Sequence, residues 1–448
     1  MREYPEYKPS NLPWLGDIPS HWEVWKVTHG FNRIGSGTTP KSDNPLFYDG
    51  AIPWITTSEL REDTIRDTAQ KVTQEAVALH SALKVYPEGS LAIAMYGATI
   101  GRLGILGLDS TVNQACCVFS EPTVFDTRFV YYWLWMRRPV LISLSTGGGQ
   151  PNLSQDDLKK LWIPIPSIGE QRAIVRFLDH KTAQIDALIA KKQSLLDKLA
   201  EQRTALISQA VTKGLDPTVP MRDSGVSWLG AVPKHWETWK VTHGFNRIGS
   251  GTTPRSDNPL FYDGNVPWVT TSELREDTIF DTSQKVTEEA VAQYSALKLY
   301  PKGSLAIAMY GATIGRLGIF GVDATVNQAC CVYSQPTVFD TRFVYYWLRM
   351  RKPILISLSS GGGQPNLSQD DLKKLWIPIP DISEQRAIVQ YLDKKVSQVE
   401  DRIAKVRLVI DKLNEYRSAL ITNAVTGKID VRDFSIPTTT EQREVAHG

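Results

Sequence analysis

The chain has 448 residues, 42% of them hydrophobic and 22% charged, and a formal net charge of +2. That length is too great for one ordinary core and fits roughly two to four domains of average soluble composition. No apolar run is long enough for a bilayer span, residues 1–20 are polar and proline-bearing, and the four cysteines and seven histidines show no zinc spacing. A membrane span, a signal peptide and a zinc module are therefore not expected, and the cytoplasm is the expected compartment.

The chain repeats itself. Trp22 and Trp236, Arg102 and Arg316, and Gln171 and Gln385 all lie 214 residues apart, so the two copies carry no insertions relative to each other. The copies run over about 14–211 and 228–425, far too long a period for a solenoid, so each is a whole domain plus a connector. Residues 31–150 and 245–364 differ at 20 of 120 positions, whereas 170–212 and 384–426 differ at 19 of 43. The globular parts are more alike than the connectors. A shared task and a recent duplication both account for that.

Each copy opens on a mixed, β-rich half punctuated by Gly35, Gly37, Pro40, Pro45, Gly50, Pro53, Pro87 and Gly89. Leu91-Ala92-Ile93-Ala94-Met95-Tyr96 reads as a buried strand closed by Gly97, and 112–119 reads as another. The adjacent pairs Cys116-Cys117 and Cys330-Cys331 point to opposite faces of a strand and read as buried, unbridged residues. The aromatic stretch 129–136 reads as a helix packed on the sheet. Gly147-Gly148-Gly149-Gln150 reads as a hinge rather than a phosphate cradle. Asp156 and Asp157 follow Ser154 at a helix start, where negative charge suits the dipole.

The second half of each copy is a long helix. Pro164 and Pro166 forbid an earlier start, and Ser167-Ile168-Gly169-Glu170 spells a capping box that becomes Asp381-Ile382-Ser383-Glu384 in the second copy. Ile174, Leu178, Ile185, Leu188, Leu195, Leu199 and Leu206 follow an a/d register. Ile388, Leu392, Val399, Val406, Val409, Leu413, Tyr416 and Leu420 do the same in the second copy. A rod of roughly 60 Å with such a stripe buries it best against its twin, and antiparallel pairing would put the two modules at opposite ends of one spacer.

Polar side chains cluster on the glycine-rich loops, where a ligand can approach the backbone closely. The candidates in the first copy are Arg33, Ser36, Thr38, Thr39 and Lys41, then Thr56, Thr57 and Ser58 after a strand end, then Tyr96, Thr99 and Arg102 around a Gly-x-x-x-Gly turn. Their counterparts are Arg247, Ser250, Thr252, Thr253, Arg255, Thr270, Thr271, Ser272, Tyr310, Thr313 and Arg316. The same threonines and serines can instead cap backbone groups, and Arg102 can pair with a carboxylate. Catalytic motifs fail on inspection. Asn44-Pro45-Leu46-Phe47 resembles an adenine-methyltransferase tetrapeptide without its second proline, Ile34-Gly35-Ser36-Gly37 is followed by Pro40 and Pro45, and no Walker A sequence occurs.

The ordered set of motifs resembles the specificity subunits of Type I restriction–modification enzymes over nearly the whole chain. Trp228-Leu229-Gly230 with Pro233-Lys234-His235-Trp236-Glu237 is similar to the family's opening segment, as is Trp14-Leu15-Gly16 with Pro19-Ser20-His21-Trp22-Glu23. Gly35-Ser36-Gly37-Thr38-Thr39-Pro40, Ile52-Pro53-Trp54-Ile55, Gly97-Ala98-Thr99-Ile100-Gly101 and Val112-Asn113-Gln114 resemble points inside its recognition domain. Gln150-Pro151-Asn152-Leu153-Ser154, then Trp162-Ile163-Pro164-Ile165-Pro166 and Glu170-Gln171-Arg172, resemble its exit segment, and the set recurs over 364–386. Residues 424–432 resemble its closing segment.

The resemblance implies a fold and an assembly. Two mixed α/β target-recognition domains, over 1–166 and 214–380, are joined by long antiparallel coiled-coil-like helices over 167–213 and 381–426, with a tail over 427–448, in a pseudo-twofold tandem repeat. The chain would be a non-catalytic reader of double-stranded DNA with no cofactor of its own, and the polar loop residues named above would reach base edges and phosphates. Two methyltransferase subunits would bring S-adenosylmethionine, and translocase–nuclease subunits would use ATP and Mg. The low net charge then fits phosphate contacts shared with those subunits. Family members usually carry two unlike recognition domains. Two near-identical ones related by a pseudo-dyad imply a palindromic bipartite target. A self-contained methyltransferase or nuclease and a helical protein scaffold are the alternatives. The first lacks cofactor motifs, and the second leaves the repeated polar loops unexplained.

Overall fold

The computed structural model describes residues 2–144, 152–358 and 366–436. The expected hinge Gly147-Gly148-Gly149-Gln150 lies outside the described residues. The chain divides into two compact units, residues 1–192 with 408–448, and residues 193–407. The helices are α1 Gln74–Leu79, α2 Thr127–Leu144, α3 Gln155–Lys159, α4 Ile168–Lys213, α5 Glu288–Gln293, α6 Thr341–Leu358, α7 Gln369–Lys373 and α8 Ile382–Val425. Among the described residues, no helix is long and apolar enough to cross a membrane.

In the first unit a five-stranded sheet runs in the order Phe31–Ser36, Cys116–Pro122, Leu91–Ala94, Leu103–Leu106, Thr64–Ile65. All its pairings are antiparallel except the last. Side-chain alternation along these strands builds two cores. Leu91, Ile93, Cys117 and Phe119 join α2 through Phe129, Val130, Trp133 and Leu134. Ala92, Ala94, Cys116 and Val118 join Ile55, Leu60, Ile65 and Val112 on the other face. Each cysteine of the pair therefore enters a different core. All four cysteines of the chain are buried and free, as the sequence leads one to expect.

Residues 112–119 do not form one strand. Thr111–Val112 pairs in parallel with Tyr48–Ile55 in a separate three-stranded sheet, while Cys116–Pro122 belongs to the larger one. Asn113 makes the break. Its Oδ1 accepts from the Ala115 amide at 3.1 Å, a local turn that competes with the ladder. Asn44 likewise serves a turn, its Oδ1 accepting from the Leu46 amide at 3.1 Å.

The second unit repeats this design. Its sheet order is Phe245–Gly249, Cys330–Pro336, Leu305–Ala308, Leu317–Phe320, Asp277–Ile279. Cys331 and Tyr333 face α6, and Cys330 and Val332 face the opposite core.

A buried glutamine anchors the first turn of each long helix. Gln171 accepts from the Asp126 amide at 2.8 Å and donates to the Val124 and Pro166 carbonyls at 3.0 and 2.9 Å. Gln385 makes the same three bonds to Asp340, Val338 and Pro380 in the second unit. The expected capping box is only half present. Ser167 Oγ accepts from the Glu170 amide at 3.3 Å, but the Glu170 carboxylate turns away to Tyr4 Oη at 2.7 Å and His21 at 3.0 Å. Burial, with Glu170 adding to it, raises the Tyr4 phenol well above its ordinary value, so Tyr4 stays a donor. In the second unit Glu384 accepts from Trp236 Nε1 at 3.0 Å and meets His235 at 2.9 Å. The position matching Tyr4 is Thr218, which leaves Glu384 for the tryptophan.

Within each unit α4 and α8 run in opposite directions, as expected. In the second unit Arg203 meets Glu400 at 3.8 Å, and Gly214 lies near Glu384. In the first, Arg417 meets Asp186 at 3.2 Å, and Phe434, beyond α8, meets Phe177 edge-to-face with ring centres 5.0 Å apart. The two ion pairs exchange equivalent positions, since 203 and 417, like 186 and 400, are 214 apart. The seam differs from the expected register. Leu188 and Leu195 are 45% and 39% exposed, and Val409 and Tyr416 are 41% and 50% exposed. The more buried stripe passes through Thr182, Ile185, Ile189, Lys192, Leu196 and Leu199, and through Val396, Val399, Ile403, Val406, Ile410 and Leu413. That is a steady alternation of three and four, one residue over from the expected leucines. The two copies also differ beside the seam. The Arg417 guanidinium lies 4.8 Å from the Trp135 ring, whereas the matching Arg349 pairs with Glu400 at 2.6 Å.

Candidate nucleic-acid interface

Three loops converge at one edge of the first unit. The strand Phe31–Ser36 ends at Gly37, where a Cβ would overlap the Val112 carbonyl oxygen, so only glycine lets this loop cross the neighbouring backbone. That crossing brings Thr39 to Gln114, 75 residues away in sequence, and Thr39 Oγ1 donates to Gln114 Oε1 at 2.5 Å. Trp54 Nε1 holds the same loop by donating to the Thr38 carbonyl at 3.2 Å. The Gly-x-x-x-Gly turn supplies the third loop. Gly97 and Gly101 have φ of 76° and 75°, a region side-chain-bearing residues avoid. Just before them Tyr96 Oη donates to the Gln114 carbonyl at 2.7 Å. Burial raises the Tyr96 phenol above its ordinary value, which keeps it a neutral donor. The exit segment closes the rim, with Asn152 bridged to Tyr96 and the Leu153 amide donating to the Met95 carbonyl at 2.7 Å.

The sequence candidates fall into three groups. Thr38, Thr39, Tyr96 and Thr99 belong to this convergence, with Thr39 exposed and the others half-buried. Thr56, Thr57 and Ser58 follow the end of Tyr48–Ile55, and the Asn113 amide donating to the Ile55 carbonyl at 2.9 Å ties them to the same edge. Their hydroxyls are partly engaged, since Thr56 bonds Ser58 at 2.7 Å and Glu59 at 3.1 Å. Ser36 contributes its carbonyl to Tyr86 Oη at 3.0 Å. Lys41 is exposed on the loop that follows, and Arg255 at the matching place pairs with Asp257 at 3.1 Å.

The two arginines stand apart from this group. The Arg33 guanidinium lies 4.1 Å from the centre of the Tyr86 ring and donates to the Val85 carbonyl at 3.0 Å. Arg247 does the same with Tyr300 and Leu299. Arg102 lies within electrostatic reach of Glu62. Burial raises the Glu62 carboxyl, and Arg138 first and Arg102 last draw it down again. Arg316, its counterpart, is exposed.

In the second unit most of this geometry recurs, although the Trp268 indole nitrogen, matching that of Trp54, has no partner among the described residues. Thr253 Oγ1 donates to Gln328 Oε1 at 2.6 Å, Tyr310 Oη to the Gln328 carbonyl at 2.7 Å, and Thr270 meets Ser272 at 2.8 Å. Ser250 accepts from Tyr300 Oη at 3.0 Å, and Thr252, Thr271 and Thr313 are half-buried beside these residues in sequence. Gln114 and Gln328 were not among the candidates. The only signal was their place in Val112-Asn113-Gln114 and its repeat.

A profile of the Type I restriction modification DNA specificity domain matches residues 19–197 and 233–406. The chain belongs to the Type I restriction–modification specificity family. The specificity subunit of the MjaIX enzyme from Methanocaldococcus jannaschii is 24% identical over 94% of this chain and 96% of its own. That of the EcoBI enzyme from Escherichia coli is 23% identical over 77% of this chain and 74% of its own. A solved structure on complex assembly and conformational transition of the type I R-M system contains a chain with a TM-score of 0.72 and 15% identity, matched over 92% of this chain and 99% of that one. The HsdS subunit from Thermoanaerobacter tengcongensis gives a TM-score of 0.52 at 16% identity, over 92% of this chain and 98% of its own. As a specificity subunit, the protein has two target-recognition domains, is part of a Type I restriction–modification complex, and is its non-catalytic component.

Proposed function

We propose that each of the two modules of this specificity subunit reads one half of a bipartite DNA target, and that the halves form an inverted repeat. The observation carrying this reading is the sameness of the two candidate interfaces. Of the eleven candidate pairs, only Lys41 and Arg255 differ, and both are cations. The 20 differences between residues 31–150 and 245–364 otherwise fall elsewhere, for example Arg66 and Phe280, Glu88 and Lys302, Trp135 and Arg349. Equal side chains in equal loops favour equal bases. Two equal readers related by a dyad would match the dyad between DNA strands, which favours inverted rather than direct repetition.

The candidate residues Arg33, Ser36, Thr38, Thr39, Lys41, Thr56, Thr57, Ser58, Tyr96, Thr99 and Arg102, with their counterparts, are proposed to divide this work. Lys41 and Thr99 face DNA, whereas Arg33, Ser36 and Thr39 support the loops and their side chains. Two methyltransferase subunits carrying S-adenosylmethionine, and translocase–nuclease subunits using ATP and Mg, would act in the cytoplasm on the DNA selected here. Mapping methylated positions in DNA from cells that express this chain with its methyltransferase tests the proposal. An inverted-repeat motif is expected, and two unrelated half-sites would refute it.

A further inference from the structure

We infer that Gln114 and Gln328 are base-reading residues of the two modules, and that each contacts an adenine in the major groove. This rests on the proposed half-site reading. Gln114 sits in the break between Thr111–Val112 and Cys116–Pro122 and is exposed. Its neighbour Asn113 is occupied with the Ala115 amide and shapes the turn. The turn thus directs one polar side chain of the pair inward and leaves the other on the surface.

The Gln114 side chain is also held in place. An amide oxygen has two acceptor sites, and Thr39 Oγ1 fills one of them at 2.5 Å. Its second acceptor site and both Nε2 hydrogens make no other bond among the described residues. An adenine edge in the major groove offers an N6–H donor and an N7 acceptor, the complement of a glutamine amide. Oε1 accepts from N6–H and Nε2 donates to N7. Thr39 fixes the amide plane and Tyr96 fixes the Gln114 carbonyl, so little rotamer freedom is lost on binding. Thr39 and Tyr96 are therefore positioning residues. Thr253 and Tyr310 hold Gln328 in the same manner.

The test uses the full chain assembled with its methyltransferase and S-adenosylmethionine, acting on DNA randomised across the target. The unaltered complex is expected to require an A·T pair in each half-site. Gln114→Ala should reduce the preference for that pair roughly ten- to hundredfold in one half-site only, and Gln328→Ala should do so in the other. Gln114→Glu keeps the shape but presents only acceptors, so preference should move toward C·G at the same position. Thr39→Val should weaken the preference, and Thr39→Ser should retain it. The unaltered half-site reports folding in each variant. Four results would overturn the inference: a half-site without an A·T pair, a motif unchanged by Gln114→Ala and Gln114→Glu, an equal loss of methylation on every sequence, or loss of specificity in both halves from one substitution. A motif that is not an inverted repeat, but still relaxes at one A·T pair with Gln114→Ala, would refute the palindromic reading and leave this one standing.

Discussion

Replacing Gln171 with methionine isolates the clamp that starts the first long helix. The side chain is fully buried, and its three bonds tie the backbone at Val124, Asp126 and Pro166 to the first turn of α4. Methionine is similarly long and unbranched and fills the space flexibly, so cavity formation is a minor contribution. What remains is one orphaned amide and two carbonyls that lose a donor. An orphaned buried donor costs about 1–3 kcal/mol, and each lost net bond about 0.5–1.5 kcal/mol. The sum spans about 2–6 kcal/mol, and a value of about 3 kcal/mol in its lower half is a change of roughly 150-fold in a local opening equilibrium. Global unfolding is a poor measure for a two-unit chain, so native-state hydrogen exchange is the suitable assay. Exchange over residues 91–135 should accelerate about 100-fold, with 305–349 unchanged. Gln385→Met should give the mirror result, a replicate supplied by the molecule. Acceleration below about twofold, or equal acceleration in both units, would refute the reasoning.

Two further outcomes follow from the same structure. Burial pushes the thiols of Cys117, Cys330 and Cys331 up to about 12, and raises that of Cys116 as well. At pH 8 a disulfide reagent should modify none of the four in the native protein and all four in denaturant. A thiol reacting at the free-cysteine rate without denaturant would contradict the burial. Lys41→Ala should weaken DNA binding by the assembled complex about equally for all sequences, and lower the slope of log K against log salt by about 1. A change confined to one base position would make Lys41 a base reader instead.

Much of the fold is legible in the residues. Alternation along Leu91–Ala94 and the paired cysteines announce a sheet buried on both faces, and Pro164 with Pro166 marks where α4 begins. The helix register was harder because apolar residues come in adjacent pairs, Leu188 with Ile189 and Leu195 with Leu196, and spacing cannot choose within a pair. Arg417 lies on the seam where the sequence favours Tyr416. A long stem can pack while its charge finds Asp186 and the Trp135 face. The glycines mark the loops that the structure brings together at one edge. Which side chains emerge from them depends on tertiary partners. Tyr86 draws Arg33 away, and Thr39 reaches Gln114 across 75 residues, a contact that no local pattern encodes.

The first unit is assembled from two stretches separated by residues 193–407. Leu420, Ile421, Ala424 and Val425 enter the same core as Trp22 and Ile174, and Asp430 bridges to Arg2. The ribosome needs roughly 10–40 s to translate the intervening stretch at about 5–20 residues per second. The half encoded second can therefore close its core while the half encoded first still waits for its last piece. A nonsense codon near position 410 would spare most of the later half and cripple the earlier one, the reverse of what gene order suggests.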